Sequence, residues 1–320
     1  MDGGGRERQR RRRHGLALAL ATVALLLAAV GTTAWLISPS GGGLDARVSA
    51  RLRAGGGRPV ALDRVAPILR QAVIATEDER FYRHHGIDII GVIRALPYDL
   101  VHLSFAQGAS TITEQVGKLL YLGGNDHTLR RKLEDAALAL KLEGRYTKEQ
   151  ILAAYLNSAY FGEGAYGAWA ASERYFGVRP LKLDTAQATL LAGLIQAPSA
   201  YDPIAHPAAA RARQVEVLRS LVRNGFMTQE EAATTLARPL RLRAGRTLAP
   251  LRQIDLAPGP AFVWWQLTLG AAIAATAVLA LVASHIPRFR GVRGVHAVRL
   301  LSLVLLLLGA AVVIRSFRTA

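Results

Sequence analysis

The chain has 320 residues, is 51% hydrophobic, lacks cysteine and carries a formal net charge of +17. Disulfides and thiolate metal sites are therefore excluded, and the length leaves room for one large or two modest domains. The charge is not a nucleic-acid footprint: residues 1–44 and 256–320 hold twelve arginines against Asp2 and Glu7, +10 of the total, and the remaining +7 suits an anionic substrate at a membrane surface.

In chain order, a basic tail (1–14) with Arg6, Arg8 and Arg10 to Arg13 precedes an apolar run from Gly15 to Ile37. The run is long enough for a transmembrane helix and too long for a typical signal-peptide core, so a retained anchor is expected, with the N-terminus inside and the rest outside. Residues 38–57, with Gly41 to Gly43 and Gly55 to Gly57, read as a linker. A folded domain is expected over 58–242. Thr111-x-x-Glu114, Thr147-x-x-Gln150, Asp184-x-x-Gln187 and Thr228-x-x-Glu231 all have capping-box form, and alternating strand patterns are scarce, so the fold class is mainly α. Ile87 to Phe105, apolar and broken by Pro97, reads either as core or as an interfacial element dipping into the bilayer. A second linker (243–260) leads to apolar runs over 261–284 and 295–314, a transmembrane hairpin around a basic cytoplasmic loop (285–294), and a short tail (315–320).

Two tracts carry the candidate chemistry. Glu77 ends an apolar helical pattern and is either a solvated acid or a partly desolvated general base. Thr111 and Glu114 are explained as a helix cap, but Ser110, Gln115 and Lys118 are not; a helix start with hydroxyls and a nearby lysine also suits phosphate. Arg131 and Asp135, four apart, form either an exposed ion pair or a cation and carboxylate on one face of a cleft. His84 and His85 lack a partner at metal-ligand spacing.

Taken in order, five motifs resemble those of the peptidoglycan glycosyltransferases, the monofunctional transglycosylases and the glycan-polymerising domain of bifunctional penicillin-binding proteins. They are Glu77-Asp78-x-x-Phe81-x-x-His84-x-Gly86; Gly108-x-Ser110-Thr111-Ile112-Thr113-x-Gln115 with Lys118; Arg131-Lys132-x-x-Asp135; Lys148-x-x-Ile151-Leu152-x-x-Tyr155-Leu156-Asn157 followed by Tyr160-Phe161-Gly162; and Leu190 to Ser199. The family usually has Gln at the position of Glu114 and Glu at that of Asp135. No Ser-x-x-Lys or Lys-Thr-Gly occurs, so the transpeptidase signature of the bifunctional relatives is missing from this sequence.

The resemblance implies a lysozyme-like helical domain that polymerises lipid II on the outer membrane face, with inversion and release of polyprenyl pyrophosphate. It makes Glu77 the general base and Asp135 a second catalytic carboxylate. Ser110, Thr111, Gln115, Lys118, Arg131 and Lys132 would bind substrate and pyrophosphate, and Asp78, Phe81, His84, Tyr155 and Asn157 would support them. A divalent cation, Mg or Mn, beside Asp135 follows from the resemblance alone, and no organic cofactor is expected. The expected partners are lipid II, the growing glycan strand, membrane lipids and, by default, cell-wall proteins meeting the C-terminal hairpin. The other readings are a lipid II-binding scaffold and a lysozyme-like glycan hydrolase.

Overall fold

The structure is a computed structural model that describes residues 21–92, 110–123 and 128–251. Among them the architecture is helical, with one two-stranded antiparallel pair in which Leu240 faces Leu248 and Arg241 faces Thr247. The four capping boxes form as expected: Thr111, Thr147, Asp184 and Thr228 each accept from the backbone N–H three residues on, and the residue there bonds back. Each such cap is worth about 1 kcal/mol, so these helix starts are dictated locally.

Leu190, Ala210, Leu240, Leu242 and Leu248 form a small cluster of their own, and the larger part of the core is one main cluster. Leu69, Ala72 and Val73 of the Pro67–Glu77 helix, Leu190, Leu191 and Leu194 of the Thr185–Leu194 helix, and Val217, Leu218 and Leu221 of the Pro207–Arg223 helix are all buried. Ile112 and Val116 of the Ile112–Gly117 helix, Leu138 and Leu142 of the Leu129–Glu143 helix, and Ile151, Leu152 and Tyr155 of the Lys148–Ser158 helix join the same cluster.

The stretch 38–57 departs from the expected linker. It contains the Leu44–Ala54 helix, whose Leu44, Val48 and Leu52 enter the main core. The glycines mark the ends of this helix: Gly43 starts it from a left-handed backbone, φ 74°, and Gly55 lies against Tyr166 so closely that a Cβ would come within 2.4 Å of the ring. At the other end the domain continues past residue 242, because Thr247–Leu248 pairs back and Leu248 is buried. Arg211 holds this end. Its guanidinium, 4% exposed as a residue, donates to the carbonyls of Ala249 and Arg238 and to Gln214 Oε1.

Residues 21–37 are helical, and Val23, Leu25, Leu26, Leu27, Leu36 and Ile37 are exposed along them. The 17 residues span about 25 Å, short of a hydrocarbon core about 30 Å thick. Among the described residues no helix is long and apolar enough to cross a membrane. The expected start of this run at Gly15, the C-terminal hairpin and most of Ile87 to Phe105 lie outside the described residues; of the last, Ile89, Ile90 and Val92 are described and exposed. The lower end of the 21–37 helix is tied to the domain by Lys141, whose Nζ donates to the carbonyls of Trp35 and Ser38 at 2.6 and 2.8 Å.

Candidate active site

Glu77 is the last residue of the Pro67–Glu77 helix, and the buried residues before it fix where that helix stops. The next residue, Asp78, turns inward. Its carboxylate lies 3.0 Å from His84 Nε2 and accepts the Ile112 N–H at 3.0 Å, so it joins the first tract to the start of the Ile112–Gly117 helix. Thr111 adds a second tie, since its hydroxyl donates to the Gly86 carbonyl at 2.6 Å while accepting the Glu114 N–H. Gly86, φ 85°, admits no side chain here, because a Cβ would meet the Ala139 carbonyl at 2.9 Å.

These ties sort the sequence candidates. Asp78, His84 and Thr111 are buried braces: the Asp78 carboxylate, His84 Nε2 and the Thr111 hydroxyl are held by protein, while His84 Nδ1 is buried without a partner. Phe81 is core, with Lys148 Nζ 4.3 Å above its ring. Asn157 clamps the chain at Val60 through both its N–H and its carbonyl, at 2.8 Å each. Ser110 is partly exposed just ahead of the helix cap.

Glu77 sits differently. It keeps part of its surface open, but the carboxylate is enclosed by protein, and this desolvation raises its pKa above the ordinary 4.5. The Gln115 amide, which donates to Oε2 at 3.0 Å, and the Arg213 charge oppose the rise; the Asp78 charge adds to it. Gln115 is in turn fixed by Tyr155, whose hydroxyl donates to Gln115 Oε1 at 2.8 Å. Burial, then the charges of Glu77 and Asp78, hold the Tyr155 phenol far above its usual value, so it stays a donor.

One helical turn beyond Gln115 lies the cationic group. Asp135, 3% exposed, faces Arg131 Nε through Oδ1 at 3.2 Å and Lys118 Nζ through Oδ2 at 3.5 Å. Lys118 opens the π-helical turn Lys118–Leu122, closed by the Gly123 N–H on the Lys118 carbonyl, and Arg131 also donates to the Gly123 carbonyl. The turn and the Leu129–Glu143 helix thus hold the two cations side by side over one carboxylate. The Lys118 side chain is 39% exposed, so its ammonium can meet a ligand. Glu114 borders the group: burial raises its pKa, while its bond from the Thr111 N–H and the charges of Lys118 and Lys132 pull the other way.

Asp135 is thus ion-paired through both oxygens, to Arg131 and to Lys118. Among the described residues no three imidazole or carboxylate side chains come together as a metal site. Arg213 was not singled out by sequence reasoning. The signal that marks it is Gly193 in the fifth motif, whose missing side chain makes room for the arginine stem: a Cβ there would lie 3.1 Å from Arg213 Cγ.

A helical domain with a desolvated carboxylate facing an amide, and a cationic cluster one turn away, has the makings of a glycosyl-transfer site with a charged leaving group. The Transglycosylase family profile matches residues 46–222. A Cupriavidus necator protein that bears a transglycosylase name is 45% identical over 186 residues, 58% of this chain and 79% of its own length. Penicillin-binding protein 1F of Bacillus subtilis is 39% identical over 184 residues, and penicillin-binding protein 1A of Neisseria gonorrhoeae 44% over 164. The matched region covers 58% and 51% of this chain but 26% and 20% of those two proteins. The chain belongs to the transglycosylase family, the peptidoglycan glycosyltransferases, and is a glycosyltransferase.

Proposed function

We propose that the protein polymerises lipid II into glycan strands, with Glu77 as the base that takes the proton from the acceptor hydroxyl as it attacks the anomeric carbon. The enclosed carboxylate of Glu77, raised in pKa and oriented by Gln115, carries this reading. General-base assistance of this kind is worth about 10² to 10⁴ in rate. Attack from the face opposite the leaving group inverts the linkage, and the departing pyrophosphate is held by Lys118 and Arg131, with Lys132 adding charge. Asp135 keeps the first two together between turnovers; it positions cations rather than moving protons.

In this reading the exposed apolar helix over 21–37 is the lower part of a membrane anchor that begins near Gly15, with the basic tail inside and the enzyme on the outer face. The exposed, apolar Ile89, Ile90 and Val92 suit contact with the polyprenyl tail of the substrate. The C-terminal apolar runs form a second attachment.

The test is incubation of the purified protein in detergent with labelled lipid II, beside Glu77→Gln. Glycan strands that disappear in the variant are expected. Strands made equally well by Glu77→Gln, or fragments released from preformed glycan, would overturn the reading.

A further inference from the structure

On the side of the domain that follows the 21–37 helix lies a pocket of about 360 Å³ between the Leu44–Ala54 helix and the π-helical turn. Arg47, Ala50, Arg51 and Ala54 line it from one face of the helix, opposite Leu119, Leu120 and Tyr166. The neighbouring face of the same helix is the one buried through Leu44, Val48 and Leu52, so the pocket-lining face cannot rotate away.

Both guanidiniums are held in place. Arg47 donates one N–H to the Leu120 carbonyl at 3.0 Å and stacks on the Tyr121 ring, 4.2 Å from its centre. Arg51 donates through Nε to the Ser158 carbonyl at 2.9 Å and lies 5.2 Å from the centre of the Tyr166 ring. A guanidinium has five donors, and these contacts use one from each. Ala50, Ala54 and Gly55, all small, line the same pocket.

We propose that this pocket binds the phosphate of an anionic phospholipid headgroup in the membrane leaflet beside the domain. Two arginines fixed by carbonyls and rings present donors to an anion without first losing side-chain freedom. The pocket-lining helix is the first after the exposed apolar one, so on the anchored reading it is the first element to leave the bilayer and meet headgroups. The inference rests on the membrane-anchored reading above. It differs from the cationic group of the active site, which is built from Lys118, Arg131 and Lys132.

The full chain, purified in neutral detergent, is titrated with phosphatidylglycerol or phosphatidylcholine and bound lipid is counted by native mass spectrometry. Two arginines at about 1 kcal/mol each predict a preference for phosphatidylglycerol of about tenfold or more. Ala54→Glu and Ala50→Glu each set a carboxylate in the pocket beside the guanidiniums on an exposed helix position and should cut the preference to about twofold. Ala233→Glu, the same charge change on a distant exposed helix, should leave it intact. Equal binding of the two lipids, or equal loss in Ala54→Glu and Ala233→Glu, overturns the proposal. Inorganic phosphate or pyrophosphate displacing phosphatidylglycerol at equal concentration would mark a free-anion site and overturn the headgroup assignment. Failure of the chain to enter neutral phosphatidylcholine vesicles would overturn the anchored reading while leaving the lipid preference in detergent measurable.

Discussion

Tyr155 decides which way the Gln115 amide points. Its hydroxyl donates to the carbonyl oxygen of Gln115, which leaves the amide N–H turned toward Glu77. Tyr155→Phe removes this bond while keeping the buried ring. A polymerisation rate lower by about threefold to tenfold is expected, the scale of one hydrogen bond of about 1 kcal/mol, with KM for lipid II unchanged. A variant whose KM rises at constant kcat would show that Tyr155 acts on binding instead.

Gln115→Glu replaces a donor to Glu77 with a second carboxylate. Like charges in a partly desolvated site push one pKa further up, so the acid limb of the pH–rate profile should move to higher pH than in the parent. A profile left in place would dissociate Gln115 from the ionisation of Glu77.

The raised pKa of Glu77 has a stability counterpart. The native state holds its proton more tightly than the unfolded chain, so stability from this group is present below about pH 4.5 and is lost as pH rises through the native value. Glu77→Gln should therefore raise Tm at neutral pH while abolishing polymerisation, and the gain should vanish in acid. Thermal melts at several pH values check the sign.

Glu114→Gln keeps an oxygen to accept the Thr111 N–H and removes a negative charge that acts on Lys118 and Lys132. Stability should be almost unchanged and KM for lipid II lower by a few-fold. A higher KM would mean that Glu114 assists the cations rather than competing for them.

Arg211→Met should loosen the end of the domain. The change leaves the carbonyls of Arg238 and Ala249 without their donor, at a cost of about 1–3 kcal/mol for each buried group left unsatisfied. Hydrogen exchange should rise over residues 236–251 before the rest of the domain opens.

What was legible in the sequence was local or periodic. The four capping boxes and the helical class follow from neighbouring residues, and the five motifs, in order, marked Glu77. The Leu44–Ala54 helix was hidden because its glycine triplets read as linker, while only Leu44, Val48 and Leu52, meeting a core made elsewhere, give it a reason to fold. Arg213 was hidden because nothing near it in the chain shows that its helix packs beside Glu77. Asp135 was found by its spacing from Arg131, but spacing could not show that Lys118 closes its other side.

The grip of Lys141 on the carbonyls at the foot of the 21–37 helix bears on how a polymer is fed through the site. On the anchored reading proposed above, that joint would resist tilting of the domain against the helix. Glu77 would then be held at one height above the bilayer while the strand, and not the enzyme, moved between additions.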